Sequence, residues 1–208
     1  MTIYTLTDMN LLFPEKEIFL RLGGNVFKTV LPEKAAHEYR RSALRAFELC
    51  HPCGRWCVFP AVRVDDGILL SDGTLIPGKD FAGRNEEITA LWCGAVTVGT
   101  AVVNARDKCQ SVAESAIFDA VASECADLAM DHLHRMAAAE LLRQGMFMAA
   151  RRYSPGYGDM SLSIQKFFYE RLNLRDLGLE LTELDFFQPE KSVTAFAGII
   201  QEKHYEQR

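Results

Sequence analysis

The chain has 208 residues, 23 Lys and Arg against 28 Asp and Glu, and a net charge of −5. That length suits one domain with a sizeable core, and the lack of a basic run or stripe argues against a nucleic-acid partner. No apolar run approaches about 18 residues and the first residues lack signal-peptide regions, so no membrane segment is expected and the expected location is cytoplasmic.

The first clear helix runs from Pro32 to Cys50. Pro32 suits a first turn, Glu33 favours the positive end of the dipole, and Ala36, Tyr39, Ala43, Ala46, Phe47 and Cys50 recur at helical spacing. Strands follow. Cys57–Val64 is rich in β-formers, Asp66-Gly67 is a hairpin turn, and Ile68–Leu70 is its return strand. Asp72-Gly73 turns the chain again before Thr74–Ile76. Residues 77–87, with Pro77, Gly78 and Gly83, read as loop. Ile88–Val98 is apolar on both faces and reads as a buried strand.

A long helix spans Val112–Gln144, with room for one break, and stops at Gly145. Phe118, Val121, Ala122, Cys125, Leu128 and Ala129 form its buried stripe, while Glu124, Asp127, Asp131 and Arg135 lie away from it. Met146–Tyr153 reads as a strand. Ser161 or Ser163 caps a helix that ends at Arg171. Two strands, Leu179–Phe187 and Ser192–Ile200, are followed by a polar tail expected to fray over residues 201–208. There is no internal repeat or linker. Helices set between runs of strands and hairpins indicate one α+β domain over residues 1–208, built on a twisted, mostly antiparallel sheet packed with helices.

The six cysteines read as reduced thiols. Cys50, Cys53 and Cys57 form a C-x2-C-x3-C cluster, the spacing of some metal sites. Cys50 lies on an apolar helix face and no second Cys/His pair follows, so neither a metal nor a disulfide is expected.

The stretch richest in ligand chemistry is Arg152-Tyr153-Ser154-Pro155-Gly156-Tyr157-Gly158-Asp159. Pro155 fixes φ and the glycines open conformations closed to other residues. Arg152 offers a planar fork to a carboxylate or phosphate, and Tyr157 a flat apolar face with a polar tip. By residue type alone, the stretch is equally a turn between elements, and Arg152 a surface residue or half of a structural ion pair.

Arg152-Tyr153-Ser154-Pro155-Gly156-Tyr157 resembles the Arg-x-x-Pro-Gly-Tyr signature of the activation, or reactivation, domain of vitamin B12-dependent methionine synthase. It is closer still to the short stand-alone form, which reads Arg-Phe-Ser-Pro-Gly-Tyr-Gly-Asp. Ala116–Ser123 is similar to the Leu-Asp-Ala-x-Gly-Ser helix of that family, and Pro189–Ala195 to its Pro-x-Lys-Ser-Val-Ser block. The likeness runs from about residue 43 to 200; residues 1–30 match poorly. It implies that S-adenosylmethionine is bound by Arg152, Tyr153, Ser154, Pro155, Gly156, Tyr157 and Gly158, with Arg152 on the methionine carboxylate and Tyr157 along the methyl and ribose region. It implies an accessory role in reductive methylation of cobalamin in methionine biosynthesis, the methyl coming from S-adenosylmethionine and the electron from a donor such as a flavoprotein. The chain lacks the Asp-x-His-x-x-Gly motif that ligates cobalt, so the corrinoid is expected on a partner methyltransferase subunit. Fused members of the family also carry an N-terminal carboxylate for the ligand amine. Asp8 lies in a possible region without motif support, and this departure favours the alternative of a non-catalytic module that binds S-adenosylmethionine or a corrinoid protein.

Overall fold

The fold is laid out from β5 (Ala90–Thr97), whose every residue is buried. A strand with water on neither face needs cover on both. In this computed structural model, which describes residues 2–25, 27–84 and 87–201, β2 (Cys53–Val64) and β9 (Ser192–Gln201) flank β5, both antiparallel. β3 (Gly67–Leu70) and β4 (Leu75–Pro77) extend the sheet beyond residues 61–64 of β2, and β1 (Tyr4–Leu6) pairs with residues 54–56 on the same edge. β6 (Met146–Met148) closes the far side against β9, giving the order β4-β3-β2-β5-β9-β6.

One face of the sheet presents Cys57, Phe59, Leu91, Cys93, Ala95 and Phe196 to α3 (Lys79–Gly83) and α6 (Gln165–Arg171). The other presents Trp56, Trp92, Val96, Ala195, Ala197 and Ile199 to α5 (Val112–Leu142), through Ala129, Met130, Leu133, Ala137 and Leu141. A third cluster joins the first half of α5 to α1 (Glu15–Arg21), α2 (Glu33–Glu48) and α4 (Ala101–Arg106), through Ile18, Ala43, Ala46, Val102, Phe118 and Val121. Gly94 is required beside Trp92, because a Cβ there would lie 2.2 Å from the indole ring. The architecture is the single α+β domain that the hairpins imply.

Several boundaries differ from the sequence reading. The strand expected from Cys57 starts at Cys53, because β1 and β5 both pair with its first residues. The 77–87 loop contains α3, whose first turn is capped from a distance: the Asp80 N–H donates to Asp159 Oδ2 at 3.1 Å. The long helix is unbroken over 31 residues; Ser111 caps its start and Gly145, at φ +72°, follows its end. β1, α1 and α4 carried no clear signal. Only Met146–Met148 of the 146–153 segment forms a strand, with one further bridge between Tyr153 and Phe196. The expected strand 179–187 is a small hairpin of β7 (Glu180–Leu181) and β8 (Phe187–Gln188), because Thr182 N bonds to Phe186 O and Asp185 turns at φ +63°. The frayed tail expected at 201–208 lies, from residue 202 on, outside the described residues. Among the described residues, no helix is long and apolar enough to cross a membrane.

The α6 layer is held by Phe168, which is fully buried with its ring centroid 4.3 Å from that of Phe196. Phe168→Ala should lower unfolding free energy by about 3–5 kcal/mol through lost burial and a residual cavity. Chemical denaturation checks this, and a loss under about 1 kcal/mol would contradict the packing described.

Candidate functional site

The Arg152–Gly158 stretch lies on the edge of the sheet beyond β9. Its entry is fixed by a reciprocal pair of backbone bonds, Tyr153 N to Phe196 O at 3.0 Å and Phe196 N to Tyr153 O at 2.8 Å. The Tyr153 ring packs on Phe81 of α3 at 4.7 Å, and the Arg151 guanidinium lies 5.2 Å over that same ring. Beyond Tyr153 the chain makes a tight loop, closed by Gly156 N to Met160 O at 2.9 Å and Tyr157 N to Ser154 O at 3.3 Å. Pro155 and Met160 are buried and anchor it, whereas Tyr157 is 78% exposed. Gly156 and Gly158 hold φ of +87° and +61°, so both glycines serve the irregular backbone foreseen from sequence. Ser161 caps the turn that follows, its Oγ accepting from Ser163 N.

The loop borders a cavity of about 390 Å³, within the range of small-molecule sites. Arg152, Tyr153, Ser154, Tyr157 and Gly158 line it, together with Phe81 and Met160. Arg84, Arg151 and Arg152 face it against the carboxylates of Asp80 and Asp159, of which Asp159 already caps α3. The lining thus sets three guanidinium groups and two carboxylates beside aromatic rings, donors that suit a carboxylate or phosphate joined to a flat apolar body. Pro155 and Gly156 shape the loop and do not line the cavity.

Arg152 is engaged within the protein. Its Nη2 donates to Asp131 Oδ1 of α5 at 2.5 Å, with the two side chains 27% and 48% exposed. The sequence placed Asp131 only away from the buried stripe, among other polar residues of α5 such as Asp127, His132 and Arg135, and carried no signal for this contact. Nearby, His134 is buried and bonded to Ala149 O at 3.1 Å; burial first, then the charge of Arg152, pushes its pKa down. Asp8 is not near the loop. It lies beside Cys53, which pairs with Thr97, whereas the loop joins the sheet at Phe196, opposite Cys93.

The other two sequence motifs meet each other and not the loop. Asp119 and Ser123 of α5 both bind Lys191, at 2.8 and 3.0 Å, and Arg106 bridges Asp119 and Glu190. They flank a larger cavity of about 950 Å³ between α4, α6 and the β7–β8 hairpin. Among the described residues Arg106 is the one Lys or Arg lining it, matched by Asp107, Asp119 and Glu190 and joined in the lining by Glu180 and Asp185, so this cavity is the poorer candidate for an anionic ligand group. The cysteine cluster is dispersed: Cys50 sits against Cys125 between helices, and Cys57 lies opposite Cys93 across β2 and β5. All six thiols are free, and no group of three or more His, Cys, Asp or Glu is gathered among the described residues.

With this geometry in place, one solved structure is informative: the crystal structure of the MetH reactivation domain bound to AdoHcy, which matches with a TM-score of 0.66 and covers 98% of this chain and 80% of that one. The two share a fold. Sequence identity is 16%. No family model matches the chain, and no curated protein does. The MetH reactivation fold accounts for the N-terminal elements as well, since the match extends over almost the whole chain.

Two outcomes follow from the site. Gly156→Ala and Gly158→Ala should each cost about 1–2 kcal/mol of stability from the left-handed backbone, and Gly156→Ala more, because its new methyl meets Leu162 Cδ1 at 3.3 Å. Thermal melts of both variants test the order. The Asp119 carboxyl is pushed up by burial, but hydrogen bonds from Lys191 and Arg106 win and hold it below its ordinary value. Its folded pKa is depressed, so its contribution to stability is complete above about pH 4 and is lost as pH falls further. Asp119→Asn should flatten that acid limb in pH-resolved denaturation; an unchanged limb would remove the network from the account.

Proposed function

We propose that this chain binds S-adenosylmethionine and its product S-adenosylhomocysteine at the Arg152–Gly158 loop and serves as an accessory subunit in reductive methylation of a partner's corrinoid. The observation that carries the reading is the Arg152-Tyr-Ser-Pro-Gly-Tyr signature, set on a rigid sheet edge beside a cavity, in a fold similar to a domain solved with AdoHcy. The residues fit such a ligand: a guanidinium for its carboxylate, Tyr157 for its flat body, and backbone at positive φ that a ligand can approach closely. Bound S-adenosylmethionine supplies a sulfonium methyl. The task of this chain is to hold that methyl in line with an acceptor and keep water out, which needs no general base. The corrinoid is carried by a methyltransferase subunit and the electron comes from a donor such as a flavoprotein. The second reading, a module that binds without methyl transfer, is favoured by Asp8 lying away from the loop.

Isothermal titration tests the site. Charge-assisted bonds of this kind contribute about 1.5–3 kcal/mol, roughly tenfold to a hundredfold in affinity. Arg152→Ala should weaken S-adenosylhomocysteine binding by that factor, and Arg152→Lys by less, since it keeps charge but loses the fork. The melting temperature should move little, because an ion pair this exposed contributes about 0–1 kcal/mol. Unchanged affinity would remove Arg152 from the site.

A further inference from the structure

Of the carboxylates on α5, Glu124 and Asp127 are held by Arg21, and Asp119 by Arg106 and Lys191. Asp131 is the one turned to the ligand loop, and it meets Arg152 with a single oxygen and a single nitrogen. Among the described residues, Oδ2 of Asp131 and the Nε and Nη1 donors of Arg152 have no protein partner. Both side chains are reached from solvent, and Arg152 also lines the 390 Å³ cavity. A positive fork beside a half-open carboxylate is the charge complement of a zwitterion. In an α-amino acid the two charged groups share one carbon, so they reach a neighbouring Arg and Asp together.

We infer that Asp131 receives the ammonium of the ligand's α-amino acid group while Arg152 takes its carboxylate, so that this pair selects zwitterions over plain anions. The inference rests on the proposed function of the same loop. A plain carboxylate competes with Asp131 for Arg152. A zwitterion brings a second charge that keeps Asp131 matched, so each buried or half-buried charge retains a partner.

Three ligands separate the contributions: S-adenosylhomocysteine, its analogue without the amino group, and methylthioadenosine, which lacks the whole amino acid. Titrations compare the wild type with Asp131→Asn and Asp131→Glu. Asp131→Asn should lose about tenfold or more for S-adenosylhomocysteine, leave methylthioadenosine unchanged, and bind the deaminated analogue as well as or better than wild type. Asp131→Glu, which keeps the charge, should retain part of the affinity. Equal loss for all three ligands would assign Asp131 a structural role and overturn the inference. If Arg152→Ala abolishes binding while Asp131→Asn binds S-adenosylhomocysteine as wild type does, the proposed function stands and this assignment falls. If the wild type binds none of the three, both fall.

Discussion

A strand that meets water on neither side organises this molecule. β5 contributes Leu91, Cys93 and Ala95 to one face and Trp92 and Val96 to the other. Two unlike layers are needed to cover it: the long α5 on the Trp92 face, and the short α3 and α6 on the opposite one. Gly94 makes the first contact possible by leaving room for the indole, and Phe168 against Phe196 secures the second. Burial on both faces stabilises by roughly 25 cal/mol per Å² of apolar surface removed from water, and makes the sheet a stiff platform.

The candidate site uses that stiffness. Its loop leaves the edge of the sheet at Tyr153, bonded twice to Phe196, and is anchored at Pro155 and Met160. Successive residues at such an edge project to opposite faces. Arg152 thereby reaches α5 and Asp131, and Tyr153 packs on Phe81 of α3. One irregular segment is thus tied to both layers at once, and Asp159 ties it a second time by capping α3. Loops held in this way can carry ligand chemistry without losing geometry.

Charge is divided between two places. The Arg106 and Lys191 network saturates its cations with Asp107, Asp119 and Glu190, and fixes α4, α5 and the start of β9 against one another. The loop cavity is lined by Arg84, Arg151 and Arg152, of which Arg152 meets Asp131 through one nitrogen only. The motifs around Asp119 and Lys191 therefore read best as structural, while the Arg152 motif reads as the ligand site, although all three stand out equally in the sequence.

Patterns local to the chain were determined by the sequence itself. The helical stripe of Phe118, Val121, Ala122, Cys125 and Ala129 (Leu128, expected with them, is only half-buried), the Asp66-Gly67 turn, the apolar run of β5 and the glycines of the Arg152 loop each follow from a period or a backbone preference acting over a few residues. What depends on partners distant in the chain was decided only by the tertiary structure. α3 needs Asp159 as its cap, β1 needs an open edge on β2, and the 179–187 segment turns back on itself at Asp185. Cys50 and Cys57, close in sequence, go to different layers because Cys50 follows the end of α2, which stops at Glu48 and not at Cys50, and Cys57 lies within β2. Asp131 is the sharpest case. On its own helix it is one more polar residue off the buried stripe, and it becomes part of the site because the sheet edge delivers Arg152 to within 2.5 Å of it. No periodicity encodes that distance; it follows from where two layers meet.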